Sequence, residues 1–271
     1  MLIVIILFTI YIIKKKRYEK TEYYIQTKNL YRRVRSNKGC LGEYYIYKGL
    51  QPLNGYKRFL FNIYLPKEDG NMTEIDVILL HESGIYVFES KNYSGWIFGT
   101  EEEQYWTQTL SARNGKVERN RFFNPIIQNQ GHIKWLQHFL KNPSLPVYSY
   151  IIFSNRCSFK DVVLTSGKHF ITYQCDTLSA VQRNSDNAGV QLTHKDIDDL
   201  YEKLYPLTQI DETQKAAHIE NIRQKQEEVK NMEYIRCPLC GGQLVKHSGP
   251  HGEFYGCSNY RTTGCRYKRK I

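Results

Sequence analysis

No apolar run near the N-terminus of this chain is long enough to cross a bilayer. Leu2–Ile13, interrupted only by Thr9, holds twelve residues, against the roughly 20 that a spanning helix needs. The features of a secretory signal are missing as well. Positive charge follows the run, as Lys14-Lys15-Lys16-Arg17, instead of preceding it, and no small-residue cleavage site is present. What remains is a short hydrophobic helix over residues 1–17, expected to attach a cytoplasmic protein to the inner face of a membrane through its charged flank. A buried helix or a disordered tail is the plainer reading of the same residues. Internal repeats and low-complexity tracts are absent. Cysteines number seven, an odd count that points to a reducing compartment.

Acidic residues are also in deficit, 27 against 38 Lys and Arg, for a net charge of +11. That charge belongs to the two ends. Residues 14–38 carry ten Lys/Arg against Glu19 and Glu22, and residues 236–271 carry seven against Glu253, so the middle of the chain is slightly acidic. Basic ends suit nucleic acid or anionic lipid. With 271 residues and 41% hydrophobic content, the chain supports one sizeable core and a small satellite module.

Within the middle, Thr73–Leu80 and Ile85–Lys91 read as two strands joined by a Ser83-Gly84 turn. Period-2 alternation puts Glu74 and Asp76 on one face of the first strand, and Glu89 and Lys91 on one face of the second. Carboxylates on rigid strands suit Mg²⁺ or Mn²⁺, hard ions that take one or two carboxylates plus water and phosphate oxygens. A lysine two residues from such a glutamate can stabilise a phosphoryl transition state. The alternative is a solvated hairpin face. Downstream, Asn124 and Pro125 open a helix expected to run to about Lys141. Gln128, His132, Trp135 and Phe139 form one stripe of it. A polar pair at the start of an aromatic stripe is unusual, because unsatisfied polar groups are costly to bury. The plain reading of His132 is a hydrogen-bonded histidine at the edge of the core.

These segments, with Gly39-Cys40-Leu41-Gly42-Glu43 before them and Asn124-Pro125-Ile126-Ile127-Gln128 after, resemble the nuclease-related domain family, NERD, of the PD-(D/E)XK nuclease superfamily. The resemblance implies an α/β fold, a restriction-endonuclease-like mixed sheet flanked by helices, acting as a metal-dependent nuclease on DNA or another nucleic acid. It implies Asp76 and Glu89 as Mg²⁺ or Mn²⁺ ligands, Glu43 as a helix-borne acid, Lys91 as the catalytic lysine and Gln128 as a site residue. Related nucleases often place tyrosine four residues after that glutamine, where this chain has His132. The competing expectation is an inactive nuclease fold that recruits DNA or RNA, or a membrane-bound recruitment protein.

At the C-terminus, Cys237, Cys240, Cys257 and Cys265 are spaced C-x2-C-x16-C-x7-C, the pattern of a tetrahedral Zn²⁺ site. So short a segment cannot build a stable core alone, so the metal supplies much of its folding free energy. Phe254, Tyr255, Tyr260 and Tyr267 alternate with Arg261, Arg266, Lys268 and Arg269, a mixture that stacks bases and neutralises phosphates. The run resembles the zinc ribbons of type IA topoisomerases, although it lacks a proline after Tyr260 and has a longer interval before Cys265. The expected plan is a hydrophobic anchor over 1–17 and a basic helical connector over 18–35. A nuclease-like core follows over 36–175, then a helical extension with a charged arm over 176–232 and the ribbon over 233–271. Cys157 and Cys175 read as ordinary buried thiols.

Overall fold

The computed structural model describes residues 2–111, 117–211, 213–217, 220–221, 223–224, 237, 239–240, 242–249 and 252–270. It falls into two compact units, Met1–Ile210 and Asp211–Ile271. Of the helical extension and charged arm expected over 176–232, residues 212, 218–219, 222 and 225–232 lie outside the described residues.

The larger unit is built on a five-stranded mixed sheet. β1 (Lys57–Pro66), β2 (Met72–His81) and β3 (Gly84–Lys91) run as an antiparallel meander, with Ser83 and Gly84 at the expected turn. β7 (Val147–Phe153) then pairs parallel with β3, and β9 (His169–Tyr173) parallel with β7. β3 is a nearly continuous apolar strand because both of its faces are covered.

One face carries α2 (Glu22–Thr27), α3 (Tyr31–Ser36), α4 (Lys38–Leu50) and α6 (Thr177–Ala188). Tyr23, Ile46, Tyr47, Leu50 and Val181 pack there on Phe59, Phe61, Val77, Tyr86 and Tyr150. The other face carries α5 (Pro125–Leu140) and α7 (His194–Leu204), whose Leu136, Ile197 and Leu204 meet Leu60, Ile78, Ile85 and Val87. Asn124 caps α5 by accepting the Ile126 amide at 2.9 Å, and Thr193 and Asp196 close a reciprocal capping box on α7.

A second sheet, in the order β6-β5-β4-β8, lies beyond the ends of β3 and β7. Its strands are β4 (Gly95–Thr100), β5 (Tyr105–Ser111), β6 (Val117–Phe123) and β8 (Cys157–Val163), and it buries Ile97 and Trp106 against Ile126 and Phe153.

The hydrophobic N-terminal helix is present as α1 (Leu2–Tyr18), with Leu2 71% and Ile3 73% exposed. No helix among the described residues is long and apolar enough to cross a membrane. Residues 18–35 do more than connect. Tyr18, Tyr23 and Val34 are buried in the main core, and the Tyr18 hydroxyl donates to the Asn29 carbonyl at 2.5 Å. Cys157 is buried as expected, whereas Cys175 is exposed, placed on a one-turn 3-10 helix after β9.

In the smaller unit, β10 (Leu244–Gly249), β11 (Gly252–Cys257) and β12 (Lys268–Lys270) form an antiparallel sheet. Its apolar centre is small, with Cys237, Leu244 and Cys257 buried and Tyr255 and Tyr267 packed on them.

Candidate active site and zinc-ligand cluster

The β2–β3 ladder ends at the Val77↔Phe88 pair. One step further, Asp76 and Glu89 stand on adjacent strands where the ladder opens. The Ser90 amide donates to Asp76 Oδ2 at 2.8 Å, so the carboxylate takes the place of a backbone acceptor. Glu43 reaches this end from α4, whose buried Glu43, Ile46, Tyr47 and Leu50 are spaced as one helical face. Gly42 makes that approach feasible, because a Cβ there would lie 2.2 Å from Ser90 Oγ.

From the opposite face, α5 supplies two clamps. Lys91 Nζ donates to Glu89 Oε1 at 2.7 Å and to Gln128 Oε1 at 3.0 Å. His132 Nε2 lies 3.1 Å from Glu89 Oε2, and its Nδ1 lies 2.8 Å from Thr73 Oγ1. An ionised carboxylate oxygen only accepts, so Nε2 carries the hydrogen; in the neutral ring Nδ1 then accepts from Thr73. His132 is therefore more than a satisfied edge residue. It fixes the second oxygen of the Glu-x-Lys glutamate.

Asn62 and its neighbours were not singled out from sequence. Asn62 adopts φ +52° inside β1, one of three non-glycine residues with positive φ among the described residues. Around it the alternation slips: Leu60 and Ile63, three apart, face the same apolar cluster, as do Ile75 and Ile78 on β2. Its side-chain amide donates to Glu43 Oε2 at 3.3 Å and to Glu74 Oε1 at 3.2 Å. Tyr23 also donates to Glu43 Oε2, and Tyr64 to Glu74 Oε1, each at 2.8 Å. The one clue in the sequence is a lone asparagine within the apolar run Phe59–Leu65.

Electrostatics divides the acids into two kinds. Burial pushes the Glu43 carboxyl up to about 7, with nearby Glu74 adding to the effect against the hydrogen bonds from Tyr23 and Asn62. Burial, then repulsion from Glu89 and Glu43, raises Asp76 well above the usual carboxylate range. Burial acts in the same direction on Glu89, but Lys91 and His132 outweigh it and hold the group at about 2. The Lys91 ammonium is in turn held above its ordinary value, because Glu89 outweighs its burial. The charged Glu89–Lys91 pair thus sits beside two carboxyls, Glu43 and Asp76, that burial and mutual repulsion push toward the protonated form. A divalent cation relieves that kind of repulsion, and two carboxylates on adjacent strands are a donor set that Mg²⁺ or Mn²⁺ accepts. Among the described residues, however, the four cysteines alone lie at metal-ligand spacing in a group of three or more.

The four Sγ atoms of Cys237, Cys240, Cys257 and Cys265 lie within 4.8 Å of one another. The Cys237–Cys265 and Cys240–Cys257 separations are 3.6 and 3.3 Å. Disulfides would require about 2.05 Å, whereas tetrahedral Zn²⁺ with bonds of about 2.3 Å puts sulfurs roughly 3.8 Å apart. The donor set fits zinc. Gly242 allows the knuckle to close, since a Cβ there would meet Asn259 Nδ2 at 2.7 Å and Cys257 Sγ at 3.0 Å. Beside the cluster is a groove of about 890 Å³ whose lining includes Phe254, Tyr260, Arg261, Arg266, Tyr267 and Lys268. Lys268 Nζ lies 5.2 Å from the centre of the Phe254 ring. Tyr255 packs on the small core instead, and the side chain of Arg269 lies outside the described residues.

An α/β sandwich with Asp76 and a Glu-x-Lys pair on adjacent strands, flanked by a helix-borne acid and a helix-borne glutamine, defines a nuclease-related class of protein. The chain belongs to the nuclease-related domain family, which matches residues 38–154. An uncharacterized protein of Bacillus anthracis is 30% identical over 189 residues, covering 69% of this chain and 85% of that protein. Residues 234–271 match the topoisomerase DNA binding C4 zinc finger. DNA topoisomerase 1 of Alkalihalophilus pseudofirmus is 49% identical over 41 residues, or 15% of this chain and 6% of the topoisomerase. DNA topoisomerase 1 of Methanocaldococcus jannaschii is 49% identical over 47 residues, again 6% of that enzyme. No solved structure matches the chain.

Proposed function

We propose that this protein is a divalent-metal-dependent nuclease acting on DNA, with the zinc ribbon as a nucleic-acid-binding attachment. The observation that carries the reading is Lys91, held between Glu89 and Gln128 at 2.7 and 3.0 Å beside Asp76. In this reading Asp76 and Glu89 hold Mg²⁺ or Mn²⁺, and Glu43 completes the acidic set. The bound cation supplies polarisation of the phosphodiester and an activated water. Lys91 stays charged in its pairing with Glu89, so it serves as an electrostatic stabiliser of phosphate charge and not as a base. Gln128 and His132 keep Lys91 and Glu89 in place, which preserves the preorganisation such stabilisation needs. In the ribbon, Zn²⁺ on the four cysteines holds the groove in which Phe254 and Tyr260 stack bases while Arg261, Arg266 and Lys268 meet phosphates.

The test is cleavage of single-stranded, duplex and branched DNA by the full-length protein with Mg²⁺, Mn²⁺ or EDTA. Cutting is expected to need the metal and to vanish in Asp76→Ala and Lys91→Ala, with DNA binding through the ribbon retained. A well-folded Lys91→Ala protein that cuts as fast as the parent refutes the assignment.

The exposed apolar residues of α1, followed by Lys14–Arg17, support attachment to an anionic membrane surface as the setting of this activity. Co-sedimentation with phosphatidylserine vesicles, lost on removing residues 1–10, is expected. Full recovery of the intact protein in the supernatant rules it out.

A further inference from the structure

The outward face of the second sheet has no part in the site described above, and its composition is that of a stacking platform. Ile97, Trp106, Phe122 and Phe159 point inward, so alternate residues along the strands take the outward face, Thr109 among them although itself buried. Cross-strand register places Trp96 beside Thr109, and Thr109 beside Arg119, in one row. Two residues along, Arg121 stands opposite Thr107; beyond it, Tyr105 stands opposite Phe123. Successive rows are about 7 Å apart and the two ends of a row about 10 Å apart.

Two cations are already seated on aromatic rings of this face. Lys160 Nζ lies 5.3 Å from the centre of the Trp96 ring, and the Arg121 guanidinium 5.0 Å from that of Tyr105. A register shift between Ile97 and Phe98 skips Lys160, as a bulge does when it re-aims a side chain. Trp96 is 47% and Phe123 40% exposed, a large aromatic area to leave facing water. The face also carries Asp161, paired opposite Phe98, against Arg119, Arg121 and Lys160 among the described residues of its strands.

We infer that this sheet face binds single-stranded nucleic acid, with bases stacked on Trp96, Tyr105 and Phe123 and phosphates met by Arg119, Arg121 and Lys160. Unpaired bases offer flat faces to aromatic side chains, and the phosphates that accompany them need cations at this spacing. A duplex hides those base faces, so the surface discriminates against it. Position favours the same occupant. β4 begins four residues after Lys91, the Ser154 amide donates to the Lys91 carbonyl at 3.1 Å, and the Gly95 amide to the Arg156 carbonyl at 3.2 Å. The platform thus continues directly from the strand that bears Glu89 and Lys91. Delivery of a strand to that site rests on the nuclease reading; binding itself does not.

The experiment uses full-length, zinc-loaded protein in Mg²⁺-free buffer, so that binding is read without cleavage. Fluorescein-labelled oligothymidylate and a duplex of equal length are titrated by anisotropy. Trp96→Ala is expected to weaken oligothymidylate binding about ten-fold, with Trp96→Phe largely restoring it. Arg119→Ala with Arg121→Ala should lower the salt slope by roughly 1.4. Ultraviolet cross-linking of a 5-iodouracil oligonucleotide decides the case in which the ribbon holds most of the affinity. Adducts on Trp96, Tyr105 or Phe123 are expected, and adducts confined to residues 237–270 overturn the proposal. Displacement of the oligonucleotide from this face by polyglutamate as readily as by unlabelled oligothymidylate would reassign it to acidic polypeptide. Loss of metal-dependent cleavage in the parent, with these binding results intact, would remove the nuclease reading and leave this surface standing.

Discussion

Replacing Asn62 tests whether backbone conformation at the site is set by function. Asn62 holds φ +52° in a strand and donates its amide to both Glu43 and Glu74. Asn62→Gly and Asn62→Ala remove the same two hydrogen bonds. Both are long, at 3.3 and 3.2 Å, so together they contribute about 1–2 kcal/mol. The two variants differ in the backbone. Glycine adopts positive φ freely, whereas alanine carries a penalty of about 1–2 kcal/mol there. Against this, glycine loses about 0.5–1 kcal/mol more conformational entropy on folding. The alanine variant should therefore be the less stable by about 1 kcal/mol, the reverse of the order expected at an ordinary strand position. Urea unfolding of the parent and both variants, followed by intrinsic fluorescence, measures the difference. An alanine variant as stable as the glycine variant, or more stable, would refute the left-handed assignment. In either variant, cleavage should fall with a raised metal requirement, because Glu43 is no longer tied to Glu74.

Three further outcomes follow from charge and metal. Without divalent metal, folded Glu43 holds its proton up to about 7 while the unfolded chain releases it near 4.5. Stability from that group is complete below about 4.5 and declines by about 3 kcal/mol as pH rises to about 7. Glu89, at about 2 when folded, acts oppositely: its contribution is present above 4.5 and is lost as pH falls toward 2. In EDTA, Glu43 should lower the melting temperature as pH rises from about 4.5 to 7 and Glu89 as pH falls from about 4.5 toward 2, and Mn²⁺ binding near neutral pH should release protons. Calorimetric titration in two buffers of different ionisation enthalpy would detect that release, and identical heats would contradict it. Zinc chelation should expose the ribbon amides to hydrogen exchange while those of β1–β3 stay protected, because Leu244 and the cysteines are nearly all of the ribbon's core. Persisting protection of β10 and β11 after zinc loss would count against a metal-dependent fold.

Much of the architecture was legible because local chemistry agreed with tertiary structure. Asn124-Pro125 opened α5 where expected, and the helix ends at Leu140, next to the expected Lys141. The hairpin and its Ser83-Gly84 turn were equally clear, and the cysteine spacing matched its cluster. What escaped depends on distant pairing. The second sheet joins β4 to β8 across some sixty residues, and nothing local in Gly95–Phe123 announces that partner. Residues 18–35 looked like a basic connector because their charges are conspicuous, yet Tyr18, Tyr23 and Val34 point inward. His132 was visible as a polar oddity on an aromatic stripe, but only packing of α5 against β2 and β3 shows it between Thr73 and Glu89. The φ of Asn62 is a tertiary property, invisible in residue type.

The first helix ends in the core without a hinge. α1 runs from Leu2 to Tyr18, about 25 Å of helix. The Tyr11 ring lies tilted against Tyr31, and Tyr18 is wedged among Tyr23, Tyr24, Tyr31 and Tyr44. Its far end is therefore the tip of a stiff mast stepped into the hull of the larger unit. Anything that grips the tip fixes heading as well as location, since a rigid spar transmits torque where a flexible leash would not. A glycine-rich insertion just before Tyr11 would turn mast into leash and leave the berth unchanged.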